Sequence, residues 1–171
     1  MFRPVALLAL PLAALLPDVA QAAPVAAGFP ATANALLIHP ISIVKNSDLD
    51  FGLLTVTGAG TVVIDPNANS IASTGGVTPG GSQWSAASFV GAAGGVSVVV
   101  LIKLPNQPVT ITRQGGTETM TVANLTLQGL NKRTLAALQS FSFRVGGTLN
   151  VAANQVEGVY TGTFNVDIQY P

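Results

Sequence analysis

The strongest constraint on this chain is a two-residue apolar alternation, interrupted every few residues by Gly, Pro and Asn. Phe141, Phe143 and Val145 alternate with Ser140, Ser142 and Arg144, the period of a strand with one buried face. Val96, Val98, Val100, Ile102 and Leu104 line one face of another strand. Val99 and Leu101 on its opposite face place that strand centrally, covered on both sides. Val109 and Ile111 alternate with Thr110 and Thr112, and Met120 and Val122 with Thr119 and Thr121. Asp65-Pro66-Asn67, Gly75-Gly76, Pro79-Gly80-Gly81, Gly94-Gly95, Pro105-Asn106, Gly115-Gly116 and Gly146-Gly147 punctuate these runs. Many short strands with closely spaced turn signals predict an all-β fold, a β-sandwich. Only Lys132 to Gln139 reads as a helical turn or two. The Gly/Ser/Ala-rich stretch 75–93 reads as a long surface loop anchored by Trp84 and Phe89, with a binding loop as the alternative.

Charge narrows the function classes. Only 8% of the residues are charged, against about 25% in an average domain, and seven basic and seven acidic groups cancel. Such a chain has no electrostatic footprint for nucleic acid. Without Cys it forms no disulfide framework, thiol nucleophile or thiolate metal site. Its apolar fraction of 49% argues against disorder.

The first 22 residues read as a secretory signal peptide. Arg3 gives the positive start, Val5 to Leu16 the apolar run, and Ala20-Gln21-Ala22 the cleavage site. That run falls well short of the ~20 residues a membrane span needs. Export to the periplasm, then the cell surface or medium, is expected. After cleavage about 150 residues remain, one domain's worth.

Catalytic constellations are not evident. His39 is a lone imidazole without a second His or Cys and reads as a strand-end residue. Asp48 and Asp50 are two apart and point to the same side of an extended segment. Asp65-Pro66-Asn67 reads as a turn in which Asp bonds its own backbone. Asn150, Asn154 and Gln155 either line a sugar-binding surface or turn the chain toward Gly158, and the turn is favoured. No enzyme, metal or cofactor is expected.

The C-terminal segment carries more information. Tyr160, Gly162, Phe164, Val166, Ile168 and Tyr170 occupy one face of a strand reaching the end of the sequence. Gly158 is fourteenth from the end and Tyr170 penultimate. This resembles the C-terminal strand of chaperone–usher pilus subunits. The resemblance implies an immunoglobulin-like β-sandwich lacking one strand. A periplasmic chaperone first supplies that strand; on assembly at an usher, the N-terminal extension of a neighbouring subunit replaces it. The underlying physics is strand addition at an unpaired edge. Under that resemblance Gly158, Tyr160, Phe164, Val166, Ile168 and Tyr170 wall the acceptor groove. Phe29, Ala31, Ala33 and Ala35, alternating within residues 23–36, are the candidate donor positions; the alternative is a leader into a first strand, Leu37 to Val44. Unlike classical pilins, the chain has no disulfide.

A second resemblance runs from about Ala31 to Pro171. PISI (40–43), DLDFG (48–52), GTVVIDP (60–66), TMTV (119–122), GGTLNVAANQ (146–155) and GVYTGTF (158–164) are similar to the bacterial family called domain of unknown function 4402. It implies exported, pilin-like sandwich proteins. The expected layout is a signal peptide (1–22), an N-terminal extension (23–36) and a sandwich domain (37–171). The expected function is a fimbrial or pilus subunit pairing with itself or related subunits. A self-contained cell-surface or carbohydrate-binding module, with Trp84 or the 75–95 loop as binding element, is the alternative.

Overall fold

Every regular element of the computed structural model is a strand among the residues it describes, which are 32, 34–37 and 41–171. In chain order they are β1 (Ser42–Ser47), β2 (Leu54–Asp65), β3 (Ser70–Pro79), β4 (Ala87–Ala92), β5 (Val98–Lys103) and β6 (Val109–Arg113). Then follow β7 (Thr119–Leu127), β8 (Lys132–Leu135), β9 (Ser140–Val151), β10 (Tyr160–Thr161) and β11 (Asp167–Gln169). The chain divides into two compact units, Met1–Leu36 and Leu37–Pro171; all eleven strands lie in the second. In the first, Thr32 and residues 34–36 are exposed and irregular.

The alternation that defines β9 determines the architecture. Phe141, Phe143, Val145, Gly147, Leu149 and Val151 are all buried on one face. One edge of β9 pairs first with β4, from Ser140 to Val145, and then with β2, from Gly147 to Val151. Its other edge pairs with β7. Outward from these, β1 joins β4, β3 joins β2, and β6 and β10 follow β7, giving an eight-stranded antiparallel sheet. A second sheet of three strands, in the order β11-β5-β8, completes a β-sandwich.

Two clusters fill the interior. Phe141, Phe143 and Val145 of β9 meet Ala87 of β4, Val98, Val100 and Ile102 of β5, and Leu135 of β8. Leu149 and Val151, further along β9, join Val62, Ile64, Val77, Val122 and Phe51. The first cluster is the sandwich layer proper. At its centre the Phe143 ring stacks on Phe89 with centroids 5.1 Å apart, and the Arg133 guanidinium lies 5.6 Å from its centroid. Arg133 also donates to the carbonyls of Leu130, Gln128 and Ser142. It thereby ties the approach to β8 to an open stretch of β9. Desolvation on partial burial lowers its pKa from the ordinary arginine value.

Several local expectations change. Residues 132–139 begin with strand β8 rather than a helical turn, because Leu135 is buried opposite Val98 and the pairing with β5 outweighs helix propensity. The stretch 75–93 is largely strand, so the loop shrinks to residues 80–86. Trp84 packs on the second cluster and Phe89 on the first. Gly146-Gly147 does not turn the chain but lies inside β9, where β4 gives way to β2. A Cβ on Gly146 would meet the Ile64 carbonyl oxygen at 2.1 Å, a close backbone approach that only Gly permits. Gly75-Gly76 lies inside β3, opposite a register shift in β2. Gly75 has φ +72° there. Asp65 behaves as expected, its Oδ1 accepting from the Asn67 amide at 2.8 Å in the β2–β3 turn. β5 is the centre of its sheet, as its sequence implies.

Truncating Phe143, 1% exposed, is expected to cost about 3–5 kcal/mol. The exposed neighbouring Ser142→Ala is expected to stay within about 0.5 kcal/mol. Urea denaturation of the two variants measures both.

Candidate assembly surface

The C-terminal segment begins on one sheet and ends on the other. Tyr160 and Thr161 pair with Arg113 and Thr112 of β6, and the Gln114 amide donates to the Val159 carbonyl at 2.8 Å. The Tyr160 hydroxyl donates to the Val156 carbonyl at 2.6 Å and accepts from Gln155 Nε2 at 2.7 Å. Gln155 Nε2 also reaches the Thr119 carbonyl. The amide side chain thus secures the turn around residues 153–154, and Asn150 Nδ2 donates to Thr121 Oγ1 at 3.4 Å. Residues 162–166 are irregular, and Asp167–Gln169 then pair with Lys103–Leu101 of β5. One continuous strand, the expectation from alternation, is therefore two short strands in different sheets.

This switch divides the proposed groove residues. Phe164, Val166, Ile168 and Tyr170 all pack against the first core cluster and stay half-buried. Tyr160 is anchored at the β6 edge instead. Gly158 is exposed there with φ +148°, and a Cβ would meet the Arg113 side chain at 2.8 Å. Ala35 is exposed. Phe29, Ala31 and Ala33 lie outside the described residues, as do residues 1–22 and His39.

Arg113 is the post on which the start of this segment rests. Its Nε lies 2.7 Å from Glu118 Oε2 and its second nitrogen 3.2 Å from Oε1, a two-pronged pair closing the β6–β7 turn. The bond from Arg113, helped by backbone amides including that of Thr117, holds the Glu118 carboxyl below the ordinary glutamate value. The same bond raises Arg113. Other carboxylates are used locally: Asp48 pairs with Lys45, and Asp50 accepts from the Gly52 amide at 2.8 Å. Among the described residues, no group of three or more His, Cys, Asp or Glu could hold a metal ion.

At the opposite side of the sandwich layer, β1 pairs only with β4 among the described residues. Ile41, just before it, packs half-buried on the first cluster. Ile43 lies opposite buried Gly91 yet remains 36% exposed. β11 likewise pairs on one side only, with β5. Two edge strands, one from each sheet, therefore present apolar side chains that their own chain leaves partly uncovered. Ile43 was legible only as part of an expected first strand; no sequence signal marks it as an edge residue.

The model of the family described as Domain of unknown function (DUF4402) matches residues 41–170, and the chain belongs to that family. No curated protein and no solved structure matches it.

Because the folded value of Glu118 is depressed, its pairing adds stability above the ordinary glutamate pKa. That contribution fades as pH falls through the depressed value. Glu118→Gln is expected to lower the melting temperature at pH 7. The gap to the parent protein should close progressively below the ordinary glutamate range in a pH series of thermal melts.

Proposed function

We propose that this DUF4402 protein is an exported, non-enzymatic structural subunit that assembles by strand donation between copies. On this reading the sandwich is immunoglobulin-like and short of one strand. Phe164, Val166, Ile168 and Tyr170 form one wall of the acceptor groove, with Ile43 of β1 and Ile41 just before it facing them. The observation that carries the reading is the pair of one-sided edges, β1 and β11, bordering the same core cluster with half-covered apolar side chains. A complementary strand would satisfy the free backbone groups of an edge and cover those side chains at once.

The donor in this proposal is the segment 23–36 of a neighbouring copy or a related subunit, with Phe29, Ala31, Ala33 and Ala35 turned into the groove. A periplasmic chaperone holds the edge before assembly at an usher, and residues 1–22 direct export. The groove role of Gly158 and Tyr160 is reduced to fixing the approach of the segment at β6. A self-contained sandwich, the alternative, has less support, because β11 has a neighbour on one side only among the described residues.

The test is expression of the exported protein with and without residues 23–36, followed by electrophoresis of unboiled samples. Full-length protein should give SDS-resistant ladders, while the deletion gives a single band. A full-length protein that stays a stable monomer without any chaperone would overturn the proposal.

A further inference from the structure

On the outer face of the large sheet, pairing places Ser47, Ser88 and Arg144 in one cross-strand row over β1, β4 and β9. The 80–86 loop and the end of the β2–β3 turn border this row. Together they enclose an open cavity of about 410 Å³ lined by Ser47, Ser82, Trp84, Ser88, Arg144 and Asn69, among others. It opens on the outer side of β1, β4 and β9, with Ala86 and Trp84 of the second core cluster on one wall.

Arg144 distinguishes this place from the rest of the surface. Of the three arginines among the described residues, Arg113 is paired with Glu118 and Arg133 donates to three carbonyls. The Arg144 guanidinium, on a residue of intermediate exposure, has no hydrogen bond or ion pair among those residues. No acidic residue lines the cavity. A cation without a counter-charge favours an anion, and the planar guanidinium suits a two-pronged carboxylate.

The remaining lining adds donors around that charge. The Ser47 and Ser88 hydroxyls bond each other at 2.7 Å, and the Ser85 hydroxyl donates to the Asp48 carbonyl. These bonds form a fixed floor. The Ser82 hydroxyl, the Asn69 amide and the Trp84 indole N–H are not committed to any partner among the described residues. An aromatic ring beside several free polar groups suits a ring that is apolar on its faces and hydroxylated at its rim.

We propose that this cavity binds an acidic sugar residue. Its carboxylate would pair with Arg144, its hydroxyls with Ser82 and Asn69, and its ring would lie against Trp84. The site rides on the pairing of Ser47 with Ser88 and of Ser88 with Arg144, just past a register shift in β1, and does not depend on the assembly reading.

Trp84 is the single tryptophan of the chain, so intrinsic tryptophan fluorescence arises from one wall of this cavity. Full-length protein is titrated with glucuronate, glucose, acetate and inorganic sulfate. Glucuronate should give a saturable change, with glucose, acetate and sulfate each about tenfold weaker or more. Arg144→Gln should weaken glucuronate by about tenfold or more, the loss of a charged hydrogen bond, while leaving glucose unchanged. Ser82→Ala, on the exposed loop, should weaken glucuronate by about threefold and serves if Arg144→Gln fails to fold. Absence of a saturable glucuronate response overturns the proposal, as does a response unaffected by both variants. Equal responses to acetate or sulfate and to glucuronate overturn the sugar assignment.

Discussion

The inward face of β9 is the constraint on which the rest of the structure depends. Six alternate residues from Phe141 to Val151 are buried on one side of a single strand. No single neighbour covers that length: β4 serves the first half and β2 the second, and the exchange occurs where Gly146 lets the β2 backbone come close. The two halves therefore face different partners. Beyond Gly146 the large sheet folds its own strands and loops over Leu149 and Val151. Before it, the face carrying Phe141, Phe143 and Val145 needs a second sheet, and only three short strands supply one. The small sheet is where the protein has least covering material, and there apolar side chains remain half-exposed.

The edges follow from the same shortage. Edge strands are commonly protected by charge, and β8, at one side of the small sheet, carries Lys132 and Arg133. At the other side, β11 has one charge, Asp167, which stands directly opposite Lys103 of β5. Opposite charges in register favour the existing pairing and leave the outer edge of β11 without a comparable guard. On β1, Lys45 is taken up by Asp48. The scarcity of charge in the chain is thus unevenly distributed, and β1 and β11, like the uncharged edge strand β3, carry no unpaired guarding charge.

Much of this was legible from period alone. The burial of Phe141, Phe143 and Val145, the central position of β5 and the Asp65 turn needed only the two-residue alternation and local turn chemistry. Glycine pairs were ambiguous, because Gly146-Gly147 and Gly75-Gly76 answer close backbone approaches from distant strands rather than local turns. The segment 132–139 misled because its Leu and Ala residues suit a helix, while Leu135 is claimed by β5. The C-terminal alternation continues through 160–170, but period cannot reveal that the chain crosses between sheets within it. Arg133 and Arg144 were silent for the same reason. One is fixed by carbonyls and the other left unpaired by the placement of elements far away in sequence.

Hydrogen exchange measures the central claim, that β1 and β11 border a groove able to accept a strand. The protein without residues 23–36 is exchanged alone, with a synthetic peptide of residues 23–36, and with a scrambled peptide. Within residues 41–47 and 164–170, the amides not bonded to β4 or β5 should exchange rapidly alone, gain protection with the native peptide and remain unprotected with the scrambled one, while β9 stays protected throughout. Strong protection of those outward amides before any peptide is added, or no gain with the native sequence, would contradict the account.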